Sequence, residues 1–180
     1  MRSLSRPAGK RSLSVRDIAL LGVLGALMFA TQVAMAALPN IHVVAVLIIL
    51  ATLFFGWRAM YSVAVFVLLE GLVYGFGIWW INYLYTWPIL VVLVMLLPKS
   101  ASSLFWGCVG GGFGLSFGAL CSIPYFIVGG WAMGFSYWVS GVPFDLIHCV
   151  GNFVLTWVLL KPLYKAMSKV TAPAFPWISE

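Results

Sequence analysis

The chain has 180 residues, of which 63% are hydrophobic and only 8% charged, and its net charge is +6. A soluble domain carries roughly 25% charged residues, so this composition excludes an ordinary water-facing globule. Five of the ten Lys and Arg precede the first apolar run and three follow the last, a distribution that writes membrane orientation and excludes nucleic acid as the partner.

In lipid, backbone polar groups must be satisfied inside helices or a closed barrel. Residues 18–30 and 43–55 are apolar on every side and do not alternate, so helices are expected. Residues 1–16, with Arg2, Arg6, Lys10, Arg11 and Arg16, form a basic cytoplasmic segment. A six-helix membrane domain occupies 17–165, and 166–180 is a cytoplasmic tail expected to be disordered.

The first span covers 17–38 and ends at Pro39-Asn40, because proline cannot continue the backbone ladder. The second, 43–56, turns through Gly56-Trp57-Arg58 into the third, 59–78. The fourth covers 84–97, and Pro98-Lys99-Ser100 separates it from the fifth, 104–128. Gly129-Gly130 ends the fifth, and the sixth, 143–163, takes Pro143 in its first turn, where the missing N–H is harmless. The second and fourth fall short of the roughly 20 residues an upright crossing needs, which implies re-entrant or broken neighbours or a thinned apolar layer.

With the N-terminus inside, every Lys and Arg falls on or beside the inner side, and the outer segments 39–42, 79–83 and 129–142 hold none. The expected protein is all-α and multi-pass in the plasma membrane, with both termini cytoplasmic. A competing reading takes the basic start and Ala34-Met35-Ala36 as a cleaved signal peptide. Cleavage would leave five helices and put the basic tail on the wrong side.

Three sets of residues are candidates for function. Gly22, Ala26, Ala30 and Ala34 stand four apart on one face of the first helix, where small side chains admit a partner helix. Gly110, Gly114 and Gly118 repeat the spacing on the fifth, where internal packing is the favoured reading. Polar groups at membrane depth are costly and are site candidates by default. These are Glu70 on the third helix and Asp145, His148 and Asn152, which form one stripe on the sixth.

Aromatic residues crowd the outer side. Tyr74, Trp79, Trp80, Tyr83 and Trp87 surround the third connection, and Tyr125, Trp131, Tyr137 and Trp138 the fifth. An interfacial belt should occur at both faces, so the excess, with Asn82, indicates an aromatic-lined pocket under the outer loops. Cys108, Cys121 and Cys149 fit no metal spacing and read as free thiols, although a Cys121–Cys149 disulfide stays open. Asp145 and His148 lack enough partners for a metal site, and no nucleophile motif or nucleotide-binding loop is present, so neither a cofactor nor catalysis is expected.

Six short helices, the A-x-x-x-A spacing of Ala26 and Ala30, and the outer aromatic pocket resemble the S components of energy-coupling factor transporters, the substrate-binding subunits of ABC-type vitamin importers. The stretches 38–41, 69–77 and 145–152 carry the resemblance to one generally described branch. It implies a docking face of Gly22, Ala26, Ala30 and Ala34 against a transmembrane coupling subunit driven by two cytosolic ATPases. It also implies a substrate site built from Asn40, His42 and the outer ends of helices three to six. The abundance of Trp and Tyr suits a large or ring-bearing ligand, with a cobalamin-type corrinoid first and riboflavin, thiamine or another heterocycle open. Two rival classes stand beside this reading. One is a proton-coupled carrier using Glu70, Asp145 and His148, and the other is a membrane assembly protein that binds no small molecule.

Overall fold

The computed structural model describes residues 13–175, so Arg2, Arg6, Lys10, Arg11 and most of the basic segment 1–16 lie outside the described residues, as do 176–180. Among the described residues all regular structure is helical: α1 (Val15–Ala34), α2 (Val44–Phe55), a 3-10 turn (Gly56–Arg58), α3 (Ala59–Tyr74), α4 (Ile78–Leu96), α5 (Ser103–Cys121) and α6 (Ile123–Ser168). Five helical stretches are long and apolar enough to cross a membrane, with α2, the turn and α3 forming one of them, Val44–Tyr74.

Local chemistry sets the helix starts. The Ser14 hydroxyl accepts the Asp17 N–H at 3.1 Å while the Asp17 carboxylate accepts the Ser14 N–H, a reciprocal box that begins α1 two residues before the expected start. Ser102 caps α5 in the same way through the Phe105 N–H. Gly56 ends α2 with φ +58°, a left-handed conformation that glycine adopts without strain.

The directions of the helices follow from their contacts. Gly25 packs on Ser62 and Val65, the Ser62 hydroxyl donates to the Leu21 carbonyl at 2.8 Å, and Phe29 meets Tyr74, so α1 and α3 run parallel. Gly110 lies on Thr156, Gly114 on His148 and Gly118 on Asp145, so α5 and α6 are antiparallel. The glycine ladder of α5 is thus spent on internal packing.

Helix α2 is the axis of the bundle. It touches all five other helices, and every residue from Val44 to Phe54 is at most 3% exposed. Its 12 residues span about 18 Å. It falls short of a bilayer because it is surrounded by protein along its whole length, and no re-entrant segment is needed to explain it.

Several expected boundaries are corrected. Helix α4 starts at Ile78, so Trp79, Trp80, Asn82 and Tyr83 lie on a helix and not in an outer connection. Helix α1 ends at Ala34 and α3 at Tyr74, each about a turn earlier than expected. The sixth helix reaches far beyond 143–163, and Pro143 lies in its interior. Lipid-embedded helices tolerate proline when neighbours re-satisfy the freed groups, and α4 likewise carries Pro88 inside.

The chain reverses at Gly130, whose φ of +68° and ψ of −168° interrupt α6. Residues 123–129 continue α5, and residues from Trp131 return, with Tyr125 stacked on Tyr137 at 3.9 Å and Phe126 against Gly134. The segment 129–142, expected as an outer loop, is the tip of a helical hairpin.

At the opposite end the tail is anchored, where a disordered segment was expected. The N–H groups of Ala174 and Phe175 donate at 3.0 Å to the Phe54 and Leu53 carbonyls, and the Tyr164 hydroxyl donates to the Phe175 carbonyl at 3.1 Å. Lys99 donates to the Val94, Met95 and Leu97 carbonyls at the end of α4 and places its ammonium 4.9 Å over the Phe175 ring. Burial holds the Lys99 ammonium below its ordinary pKa.

Candidate functional site

Leu38, Pro39, Asn40 and Ile41 form a tight turn between α1 and α2, closed by the Ile41 N–H on the Leu38 carbonyl at 3.1 Å. Asn40 takes φ +58°, which asparagine tolerates better than most residues. The turn packs against Gly151 of α6, where the Asn40 carbonyl lies 3.5 Å from the position a Cβ would take. His42 is thereby delivered to the interior, its ring 5.0 Å from that of His148 and 5.8 Å from that of Trp87.

Beneath this turn lies a cavity of about 290 Å³. Of the residues singled out in the sequence, it brings together Asn40, His42, Tyr74, Tyr83 and His148. Gln32 and Met35 of the α1 end, together with Phe117 of α5, complete the wall and were not anticipated. Gln32 was legible as the only amide in the first apolar run. Phe117 carried no signal, being one of many aromatics in an apolar helix. Gln32 Nε2 donates to the Tyr83 hydroxyl at 3.4 Å, tying the α1 wall to α4.

Behind the cavity stands an aromatic cluster. Trp87 is fully buried, with ring centroids 5.6 Å from Tyr83, 5.2 Å from Phe117 and 5.8 Å from Phe66. Phe117 in turn lies 4.9 Å from His148. These contacts, edge-to-face except for the tilted Trp87–Phe117 pair, hold the cavity's ring walls in fixed orientations.

The stripe on α6 is a buried polar seam. Asp145, His148, Asn152 and Thr156 are each at most 5% exposed and lie over the glycines of α5. Asp145 Oδ1 accepts the Gly118 N–H at 2.9 Å, while Asp145 Oδ2, both His148 nitrogens, both Asn152 side-chain polar atoms and Thr156 Oγ1 have no hydrogen-bond partner. Buried polar atoms are paired in the great majority of cases, so this density of unpaired groups marks the α5–α6 seam as unusual. Glu70 is 2% exposed with Oε1 also unpaired, and it does not line the cavity.

The remaining predicted site residues lie elsewhere. Trp80 Nε1 donates to the Val67 carbonyl at 2.8 Å and locks α4 to α3. Trp79 packs edge-on against Tyr83. Asn82 is buried, with Oδ1 2.9 Å from the Tyr85 hydroxyl. Tyr125, Trp131, Tyr137 and Trp138 belong to the hairpin tip, where Trp131 is 83% exposed. On α1, Ala26, Ala30 and Ala34 are exposed, and no atom lies within 4 Å of a Cβ built on Gly22, so this small-residue face has no partner inside the described residues.

Burial pushes the His42 imidazole down to a pKa of about 4, so it is uncharged at neutral pH. No group of three or more metal-ligating His, Cys, Asp or Glu is found among the described residues, and the three cysteines are free. The arrangement offers ring faces, amides and imidazoles, the makings of a binding site. Comparison of the chain with protein-family models, curated proteins and solved structures finds no match.

Proposed function

We propose that this protein is the substrate-binding subunit of an energy-coupling factor importer, capturing a small nutrient at the outer membrane face for delivery inward. In this reading the bundle crosses the plasma membrane six times, with α2 and α3 as separate passes and both ends cytoplasmic. The positions of the charges support that orientation: Arg16 and Arg58 stand at the starts of α1 and α3, Lys99 follows α4, and Lys161, Lys165 and Lys169 close α6.

The observation that carries the reading is a cavity of about 290 Å³ at the end of the bundle away from every described Lys and Arg. The unpartnered face of Gly22, Ala26, Ala30 and Ala34 supports a docking role toward a transmembrane coupling subunit, which two cytosolic ATPases would drive. The cavity volume stands at the small end of the roughly 300–1,000 Å³ range of ligand pockets, and it favours a compact ring-bearing substrate over a corrinoid.

The test is co-expression with an energy-coupling module and recovery of a complex from detergent. Ala30→Trp should abolish the complex and uptake while the folded protein still binds ligand. A complex that survives Ala30→Trp would remove the docking face from the proposal, and failure to recover one with several modules would remove the S-component role.

The unpaired buried groups support a second reading, a proton-coupled carrier that relays through Glu70, Asp145 and His148. Such a carrier would move substrate in vesicles without any ATPase, and Glu70→Gln would stop it.

A further inference from the structure

The walls of the cavity hold no Lys, Arg, Asp or Glu. No cation occurs between Arg58 and Lys99 or between Lys99 and Lys161, so the whole of that end of the bundle lacks a partner for a carboxylate or phosphate. The two nearby carboxylates do not line the cavity: Glu70 is enclosed, and Asp145 is turned to the Gly118 N–H. A charged ligand entering here would lose its hydration and find no opposite charge, a cost that makes buried unpaired ions rare.

What the cavity does hold is flat and neutral. Tyr83 and Phe117 present ring faces and edges that suit another planar system. Gln32 Oε1, His42 Nδ1 and both nitrogens of His148 have no partner; they belong to residues that form the walls but lie just behind the cavity surface, so a ligand meets them when those side chains turn. An uncharged imidazole carries one donor and one acceptor, and an amide oxygen accepts, so the wall residues offer both kinds of group.

We infer that the cavity selects an uncharged, planar heterocycle bearing both hydrogen-bond donors and carbonyl or ring-nitrogen acceptors, and rejects carboxylates and phosphates. The inference rests on the proposed function only in taking this cavity as the ligand site. Selectivity arises by omission: a neutral ring exchanges its few water contacts for imidazole and amide partners, whereas an anion has no cation to exchange for. His148 and Gln32 are the groups that read the ring edge, and Tyr83 and Phe117 set its plane.

The experiment uses the full chain in lipid nanodiscs and equilibrium dialysis against two probe sets: uncharged heterocycles (riboflavin, lumichrome, hypoxanthine, nicotinamide) and the carboxylate biotin. Ala36→Trp fills the cavity from an exposed position and leaves the core untouched. The expected result is saturable binding of at least one uncharged probe, weakened at least about tenfold by Ala36→Trp and by His148→Leu. Binding of biotin that Ala36→Trp abolishes would overturn the selectivity and leave the binding-subunit reading in place. Binding of an uncharged probe with no coupling complex would leave the selectivity in place and remove the S-component reading. If no probe of any set responds to Ala36→Trp, both fall.

Discussion

The carboxylate of Asp145 rests directly on the backbone of Gly118: Oδ1 accepts the glycine N–H at 2.9 Å, and a methyl group at that position would overlap Oδ2. The glycine therefore serves the polar side chain as well as the close approach of two helices. Gly118→Ala is expected to destabilise by about 1–3 kcal/mol through overpacking. Gly112, on the same helix with open space at its Cβ, should accept Ala without loss or with a gain of up to about 1 kcal/mol from helix propensity. Thermal unfolding of the two variants in one detergent decides it, and equal melting temperatures would refute the steric argument.

Trp87 and Trp131 form a second contrast. The first is fully buried among Phe66, Tyr83, Phe113 and Phe117, and the second is 83% exposed. Trp87→Ala should cost about 3–5 kcal/mol and Trp131→Ala less than about 0.5 kcal/mol. Unfolding monitored by the remaining tryptophans measures both.

Acid should weaken the bundle through His42. Its folded pKa of about 4 lies below the ordinary 6.5, so the folded protein resists a proton that the unfolded chain accepts. Stability should be unaffected by this group above about pH 6.5, fall as pH drops toward 4, and change no further below that. His42→Gln should flatten that part of the profile of melting temperature against pH. An unchanged slope would show that His42 is not the responsible group.

Helix α1 has two faces with opposite demands. A Cβ at Gly25 would stand 2.5 Å from the Ser62 carbonyl oxygen and 2.7 Å from Val65, whereas Gly22 looks into open space. Gly25→Ala should lower the melting temperature of the isolated protein. Gly22→Leu should leave it unchanged and instead reduce recovery of a coupling complex. A Gly22→Leu protein that melts early would place that face inside the fold.

Much of this arrangement was legible in the sequence. The Gly129-Gly130 pair did mark a reversal, the spacing of Asp145, His148 and Asn152 did put them on one buried face, and the glycines of α5 did pack internally. The break at Pro39-Asn40 followed from the proline, whereas the placing of His42 in one site with the end of the sixth helix came from the family resemblance; the two rings stand 5.0 Å apart.

The failures share a physical cause. A helix that is apolar all round carries no periodic signal, so nothing distinguished the axial α2 from the peripheral α4 before their contacts were seen. The start of α4 was misplaced because Trp79, Trp80 and Tyr83 read as interfacial residues, although Trp80 and Tyr83 are engaged with α3 and the cavity. Pro143 was taken as a helix start by a rule from aqueous proteins, which lipid-embedded helices relax. The tip aromatics, grouped with the pocket by their proximity in sequence, are carried away from it by the hairpin.

The strap formed by Ala174 and Phe175 bears on how the protein is made. The carbonyls of Leu53 and Phe54, which end the axial helix, wait for N–H groups synthesised after every other helix has been threaded. The floor beneath the axis is therefore supplied only after all six described helices. A chain stopped before Ala174 would carry all its helices and still leave α2 with an unsealed lower end.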